Sequence, residues 1–215
     1  MRYSIYFILI IITFLASLSA YFQKNVPSYL RLFPAFLLLT IVVELAVDWL
    51  SSHGTPSTTL YNFFGVVEFL FYMYVLREII YSKKVKMIIF YAAWVYASLG
   101  VTNVLFIQKI ASFNSITYAL GCLLISTLCI YFFFELFQIT SSVKLTQLPA
   151  FWICTGLLFY YTCSFPLWSL ANFLRKMPVI ITRNIEIILL LLNVFLYSSF
   201  TIAFLCRIRV RNSTS

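Results

Sequence analysis

Phe33–Leu50 reads FPAFLLLTIVVELAVDWL and Leu60–Ile80 reads LYNFFGVVEFLFYMYVLREII, with the turn-forming run Ser51-Ser52-His53-Gly54-Thr55-Pro56 between them. Each apolar stretch approaches the roughly 20 residues that a helix needs to cross a bilayer core of about 30 Å. Neither shows the alternating polarity of a strand in a membrane barrel. The pair therefore reads as two transmembrane helices joined by a short turn. The acids inside it carry the most information. Glu44, Asp48 and Glu68 are the acidic side chains that lie well inside apolar stretches. A charge at membrane depth costs roughly 3 kcal/mol or more, so it is kept where it faces protein, water or a partner.

The same reading extends along all 215 residues, of which 63% are hydrophobic and 10% charged. Soluble domains are about half apolar and a quarter charged. Spans are expected at 4–22, 33–50, 60–80, 87–106, 115–138, 150–170 and 185–206. The fold class is an all-α integral membrane protein, a single seven-helix bundle over 1–215 with short connections. Breaks fall at Pro27, at 51–56, between Ser112 and Ser115, and at Ser141-Ser142. Trp49, Trp94, Trp152 and Trp168 lie toward span ends, as an aromatic belt requires.

Lys and Arg counts set the orientation. One side holds Arg2, Lys109, Arg175, Lys176 and Arg183. The other holds Lys24, Arg31, Arg77, Lys83, Lys84, Lys86, Lys144, Arg207, Arg209 and Arg211. The richer side is expected in the cytoplasm, giving an outside N-terminus and a cytoplasmic C-terminus. This bias and lipid headgroups account for the net charge of +9 without nucleic acid. Cleavage of the first span after Ser17-Leu18-Ser19-Ala20, as in a signal peptide, would invert every later loop and break the charge rule, so the helix reads as retained. The five cysteines form no C-x-x-C pair and read as small buried residues rather than redox or metal groups.

Glu68-Phe69-Leu70-Phe71-Tyr72 echoes Asn193-Val194-Phe195-Leu196-Tyr197, and spans two and six both carry a Trp near one end. The echo fits a parallel duplication of three helices joined by a linking fourth, the 3+1+3 plan. Chance in a sequence this rich in Phe, Leu and Tyr is the competing explanation.

Glu44 and Asp48 are four residues apart and share a helix face. Glu68 lies about eight residues, or roughly 12 Å, below the outer end of span three. Tyr61 is seven residues before it on the same face, and Asn62 is nearer the surface. Asn193 of span seven is at a comparable depth, with Glu186 above it. Thr162 and Ser164 before Pro166, and Asn114, Ser115 and Tyr118, add polar groups to the outer halves of spans six and five. Glu44, Glu68, Asn193, Asn62, Tyr61, Tyr118 and Asp48 are thus the candidate ligand-binding residues. They outline a polar pocket open toward the outside and built by spans two, three, five, six and seven. Glu44 and Glu68 cannot both stay charged in a dry site, so a close approach leaves one holding a proton. This suits a cation site, an amine ligand or a proton-linked switch. The competing readings are interhelical glue and contact with a partner protein. Glu78, beside Arg77, and Glu135 are expected to pair locally with basic groups.

Enzyme chemistry finds little support. The one histidine, His53, is in a loop, which argues against a zinc hydrolase, bis-histidine haem or a Ser-His protease. No glycine-rich phosphate loop exists among five glycines, and 185–206 has no lysine for a retinal Schiff base. No cofactor is expected.

Val43-Glu44-Leu45-Ala46, Leu60-Tyr61-Asn62 through Val67-Glu68-Phe69, Phe113-Asn114-Ser115, Pro149-Ala150-Phe151-Trp152 through Gly156-Leu157-Leu158, and Asn193 resemble a family of small bacterial seven-helix inner-membrane proteins of unassigned activity. Some of these are encoded beside sensor histidine kinases. The resemblance covers about 30–206. The chain departs where the family often has His at Asn62, and Arg and Glu at Tyr118 and Gly121. The resemblance implies a multi-pass protein of the bacterial inner (cytoplasmic) membrane, a sensory receptor or signalling accessory. It would act through a sensor kinase or another membrane protein, and the acidic pocket read above would take a small cationic or lipid-like ligand. A small-solute or proton-coupled transporter of 3+1+3 type, and a structural subunit of a membrane complex, are the alternatives.

Overall fold

The computed structural model describes residues 2–22, 26–103, 106, 113–138, 145–170, 173 and 179–212. Among them, seven helices are long and apolar enough to cross a membrane, and there is no strand. They are α1 (Arg2–Leu18, continued by a 3-10 turn at Ser19–Phe22), α2 (Ser28–Ser52), α3 (Thr58–Ile79), α4 (Lys83–Thr102), α5 (Ser115–Gln138), α6 (Pro149–Ser169) and α7 (Val179–Asn212). The number of apolar helices is the seven expected. The helices outrun the hydropathy at some ends: α2 starts before Phe33 because Tyr29 and Leu30 are already buried. Lys24, Lys109, Ser112, Ser141, Ser142, Lys144, Arg175 and Lys176 lie outside the described residues, as do the side chains of Arg2, Arg207, Arg209 and Arg211.

Local chemistry closes the turns. After α2, Gly54 takes φ +70, a left-handed conformation that suits glycine. Thr55 N–H then donates to Leu50 O at 2.9 Å. The start of α4 poses an electrostatic problem. Its first turn holds Lys83, Lys84 and Lys86, cations at the positive end of a helix dipole. Glu135 of α5 offsets them: its Oε2 accepts from Tyr81 N–H at 2.8 Å and its Oε1 from Ser82 N–H at 3.0 Å. Glu135 is thus a backbone cap rather than a member of a lysine ion pair. Glu78 keeps its loose partner, with Arg77 Nη1 3.8 Å away.

Six helices close a ring in the order α1, α2, α3, α5, α6, α7 and back to α1, and α4 packs outside it against α3 and α5. The buried residues of α4 are Ile89, Tyr96 and Gly100, one narrow stripe. Lipid is as apolar as leucine, so close packing and interhelical hydrogen bonds hold such helices together. At the α6–α7 contact, a Cβ on Gly156 would stand 2.9 Å from Ser199 Cβ, so glycine sets that approach. Across α1 and α7, Thr13 Oγ1 donates to Tyr197 O at 3.1 Å and lies 2.9 Å from Thr201 Oγ1.

The two ends of the bundle differ. Toward the end that carries Lys83, aromatic rings fill the centre. Phe33 meets Phe71, Phe200 and Phe204 at 5.1, 5.3 and 5.6 Å between ring centroids. Phe36 stacks on Phe71 at 4.0 Å and meets Tyr72 edge-on at 5.4 Å. Phe33, Tyr72 and Phe200 are fully buried. Toward the end that carries His53, burial thins out on one side of the ring. No described side chain is buried in 5–9 of α1, in 44–52 of α2 or in 182–191 of α7.

Candidate functional site

Glu44 and Glu68 mark the level at which the solid core gives way. Glu44 follows the buried stripe Leu37, Thr40 and Val43 and is itself partly exposed. Glu68 lies ten residues into α3, about 15 Å along it. It sits beside fully buried Phe69, one turn from buried Gly65 and Tyr72, yet it too is partly exposed. The two carboxyls lie within electrostatic reach of each other. A partly exposed carboxyl at this depth, on the inward stripe of its helix, is the arrangement expected where a cleft penetrates a bundle.

Tyrosines hold both acids. Tyr6 of α1 donates to Glu44 Oε1 at 3.1 Å and Tyr61 of α3 donates to Glu44 Oε2 at 3.3 Å. Tyr161 of α6 donates to Glu68 Oε1 at 3.0 Å. Tyr197 of α7 packs edge-on against Tyr6 at 5.7 Å, and Tyr72, Tyr160 and Tyr197 lie within electrostatic reach of Glu68. One connected set of side chains therefore ties α1, α2, α3, α6 and α7 together around two carboxyls.

The other candidates divide. Asn193 shares the level of the acids but donates to Leu189 O of its own helix at 2.9 Å. Asp48 is exposed one turn beyond Glu44. Asn62 turns away toward α5, where its Oδ1 accepts from Asn114 N–H at 2.9 Å. Asn103 Nδ2 donates to Asn114 Oδ1 and, at 2.9 Å, to Thr117 Oγ1. This buried amide cluster seams α3, the end of α4 and α5. Beside it lies a cleft of about 10 Å³, lined in part by Tyr61, Asn62, Asn114 and Tyr118. That volume admits about one water.

Tyr118 lies between this cleft and a group of rings. It packs on Phe69 at 4.8 Å and on Trp168 at 5.1 Å. The Ser164 hydroxyl lies beside the Cys122 thiol without making a hydrogen bond to any described residue. The buried Trp168 indole N–H approaches Tyr160, also outside hydrogen-bond geometry. Cys122, Cys129 and Cys154 are buried, Cys163 is exposed and Cys206 is partly buried, and no disulfide joins any two of them. Among the described residues, no three His, Cys, Asp or Glu side chains group as metal ligands do.

Sequence reasoning missed Tyr6, Tyr161, Tyr160, Asn103 and Thr117. Spacing along a helix signals which groups share a face, and Tyr6 is one of 15 tyrosines with no such mark. Asn103 and Thr117 carried a usable signal, being amide and hydroxyl groups at the ends of apolar spans. No protein-family model matches the chain, and neither does any curated protein or solved structure.

Proposed function

We propose that this chain is a seven-helix receptor or signalling accessory of the bacterial inner membrane, oriented with its His53 end outside and its C-terminus in the cytoplasm. A ligand enters from outside between α1, α2 and α7 and reaches Glu44 and Glu68. The observation that carries this reading is the hydrogen-bonded set of Tyr6, Tyr61 and Tyr161 on the two partly exposed acids. Any group that competes for those carboxyls acts on four helices at once. A ligand that binds two helix arrangements unequally shifts their populations by that difference, and the change reaches the far end of the bundle. Arg77 to Lys86 and the end of α7 form that end, where a partner such as a sensor kinase would read it. The resemblance to seven-helix proteins encoded beside such kinases agrees with this role.

A transporter is the second reading. The position of α4 outside the ring is the one that a linking helix of a 3+1+3 repeat would hold. The aromatic filling around Phe33, Tyr72 and Phe200 weighs against it, since alternating access needs a second exit. Transcript profiles of cells carrying wild type, Glu44→Gln, Glu68→Gln or no gene test the receptor reading. Both glutamine variants should match the deletion at unchanged protein levels. Wild-type profiles in both would refute it.

A further inference from the structure

Arg77, Lys83, Lys84 and Lys86 gather where α3 ends and α4 begins, and the acids at hand do not neutralise them. Glu135 spends both carboxylate oxygens on the Tyr81 and Ser82 N–H groups. Glu78 stands 3.8 Å from Arg77, beyond a direct hydrogen bond. The Lys86 ammonium donates to the Glu78 backbone carbonyl at 3.4 Å. Lys83 and Lys84 are exposed, and neither meets an acid among the described residues. The Arg77 guanidinium lies over the Phe90 ring at 5.5 Å, and its buried Nε–H has no acceptor among the described residues. Cations at the end of an apolar helix, with donors to spare, call for an anion.

Helical spacing sorts these groups by face. Lys83, Lys86, Phe90 and Trp94 follow one another by three or four residues and form one stripe along α4. Phe90 lies about 10.5 Å and Trp94 about 16.5 Å along the axis from Lys83. The stripe therefore passes from charged to apolar within the depth of one lipid leaflet. Phe90 and Trp94 are 46% and 65% exposed, and their rings meet edge-on at 6.4 Å. Arg77 joins the stripe from α3 through its contact with Phe90. Lys84 is at the same level but about 100° round the axis from Lys83, off the stripe. The buried side of α4 is Ile89, Tyr96 and Gly100, so the stripe is left to the bilayer.

We infer that an anionic phospholipid lies along this face of α3 and α4, its phosphate on Arg77, Lys83 and Lys86 and an acyl chain on Phe90 and Trp94. Phosphate oxygens accept from guanidinium and ammonium groups alike. The acyl chain lies on the helix surface and needs no enclosed cavity. So bound, the lipid ties α4 to α3. This goes beyond the reading of Glu44 and Glu68 as a ligand site and does not depend on it.

The test is native mass spectrometry of the whole protein in mild detergent, at about 0.2 M ammonium acetate, which screens long-range attraction. The probes are phosphatidylglycerol, phosphatidylcholine with the same acyl chains, and inorganic phosphate. Wild type should hold phosphatidylglycerol about fivefold or more tighter than phosphatidylcholine. Lys83→Gln and Lys86→Gln should each weaken phosphatidylglycerol by about fivefold, and Arg77→Gln by about tenfold or more. Lys84→Gln, the same charge loss on another face, should change it by less than about twofold. Equal affinity for the two lipids overturns the inference, and that comparison needs no variant to fold. Equal weakening by Lys84→Gln and Lys83→Gln overturns it too, since a diffuse basic rim does not tell one face from another. Inorganic phosphate bound as tightly as the lipid would assign the cations to a free anion and overturn the lipid.

Discussion

Replacing Tyr161 by Phe removes one oxygen atom and leaves the ring that packs against Phe69, Tyr72 and Tyr160. The lost contact is the 3.0 Å hydrogen bond to Glu68 Oε1, the one direct donor to that carboxyl among the described residues. Its size depends on what Glu68 is. Hydrogen bonds between neutral side chains of membrane helices average about 0.6 kcal/mol, because the unfolded chain in lipid also finds partners. Hydrogen bonds to a charged group are worth about 1.5–3 kcal/mol. A carboxylate kept to meet a cation belongs to the second class, and interhelical glue belongs to the first. A double-mutant cycle with Tyr161→Phe and Glu68→Ala separates them, since each change removes one partner and the cycle isolates the pair from changes elsewhere. Reversible unfolding in mixed micelles, followed by tryptophan fluorescence, is the assay. We expect a coupling of about 1.5 kcal/mol or more. A coupling near the neutral value of about 0.6 kcal/mol would refute the assignment of Glu68 as a charged site.

Other expectations follow from single contacts. Gly156→Ala sets a Cβ 2.9 Å from that of Ser199. It should cost about 1–3 kcal/mol by overpacking, and adding Ser199→Gly should recover most of the loss in melting temperature; no recovery would show that the α6–α7 contact is not the cause. Glu135→Ala leaves Tyr81 and Ser82 N–H without their acceptor beside three lysines. Amide exchange at those two positions should rise by about tenfold or more, equivalent to the roughly 1.5 kcal/mol of a hydrogen bond to a charged acceptor, and unchanged protection would remove the cap from the account. Asn62→Ala strands the buried Asn114 N–H and should lower stability by about 1–3 kcal/mol, with faster exchange confined to the α4–α5 seam. Cysteines placed at Val47 and Leu189, partly exposed in the stretches of α2 and α7 without a fully buried side chain, should react with a membrane-impermeant thiol reagent added outside. A cysteine at lipid-facing Leu38, which is 49% exposed, should not; equal labelling of all three would deny an outward cleft.

Hydropathy made the helices legible because each span must satisfy its own backbone in lipid, which forces long unbroken apolar runs. Glu44 and Glu68 stood out for the complementary reason, as groups costly to keep at that depth without a partner, and both are hydrogen-bonded by tyrosines. Their partners did not stand out. Tyr6 reaches Glu44 from 38 residues away, and Tyr161 reaches Glu68 from 93. Such pairings depend on the order of helices around the ring, on which hydropathy is silent. Asn62 was grouped with the acids by depth, but rotation about the α3 axis points it to Asn114 instead. Glu135 was read through charge alone, whereas its real partners are backbone N–H groups 54 and 53 residues away.

Native mass spectrometry of the protein released from mild detergent, comparing wild type with Glu68→Gln, tests the central claim most directly. The account predicts a stoichiometric small-molecule or lipid adduct on wild type that the variant loses while its charge-state distribution stays folded. Identical adducts, or none on either protein, would reduce Glu68 to a structural contact between α3 and α6.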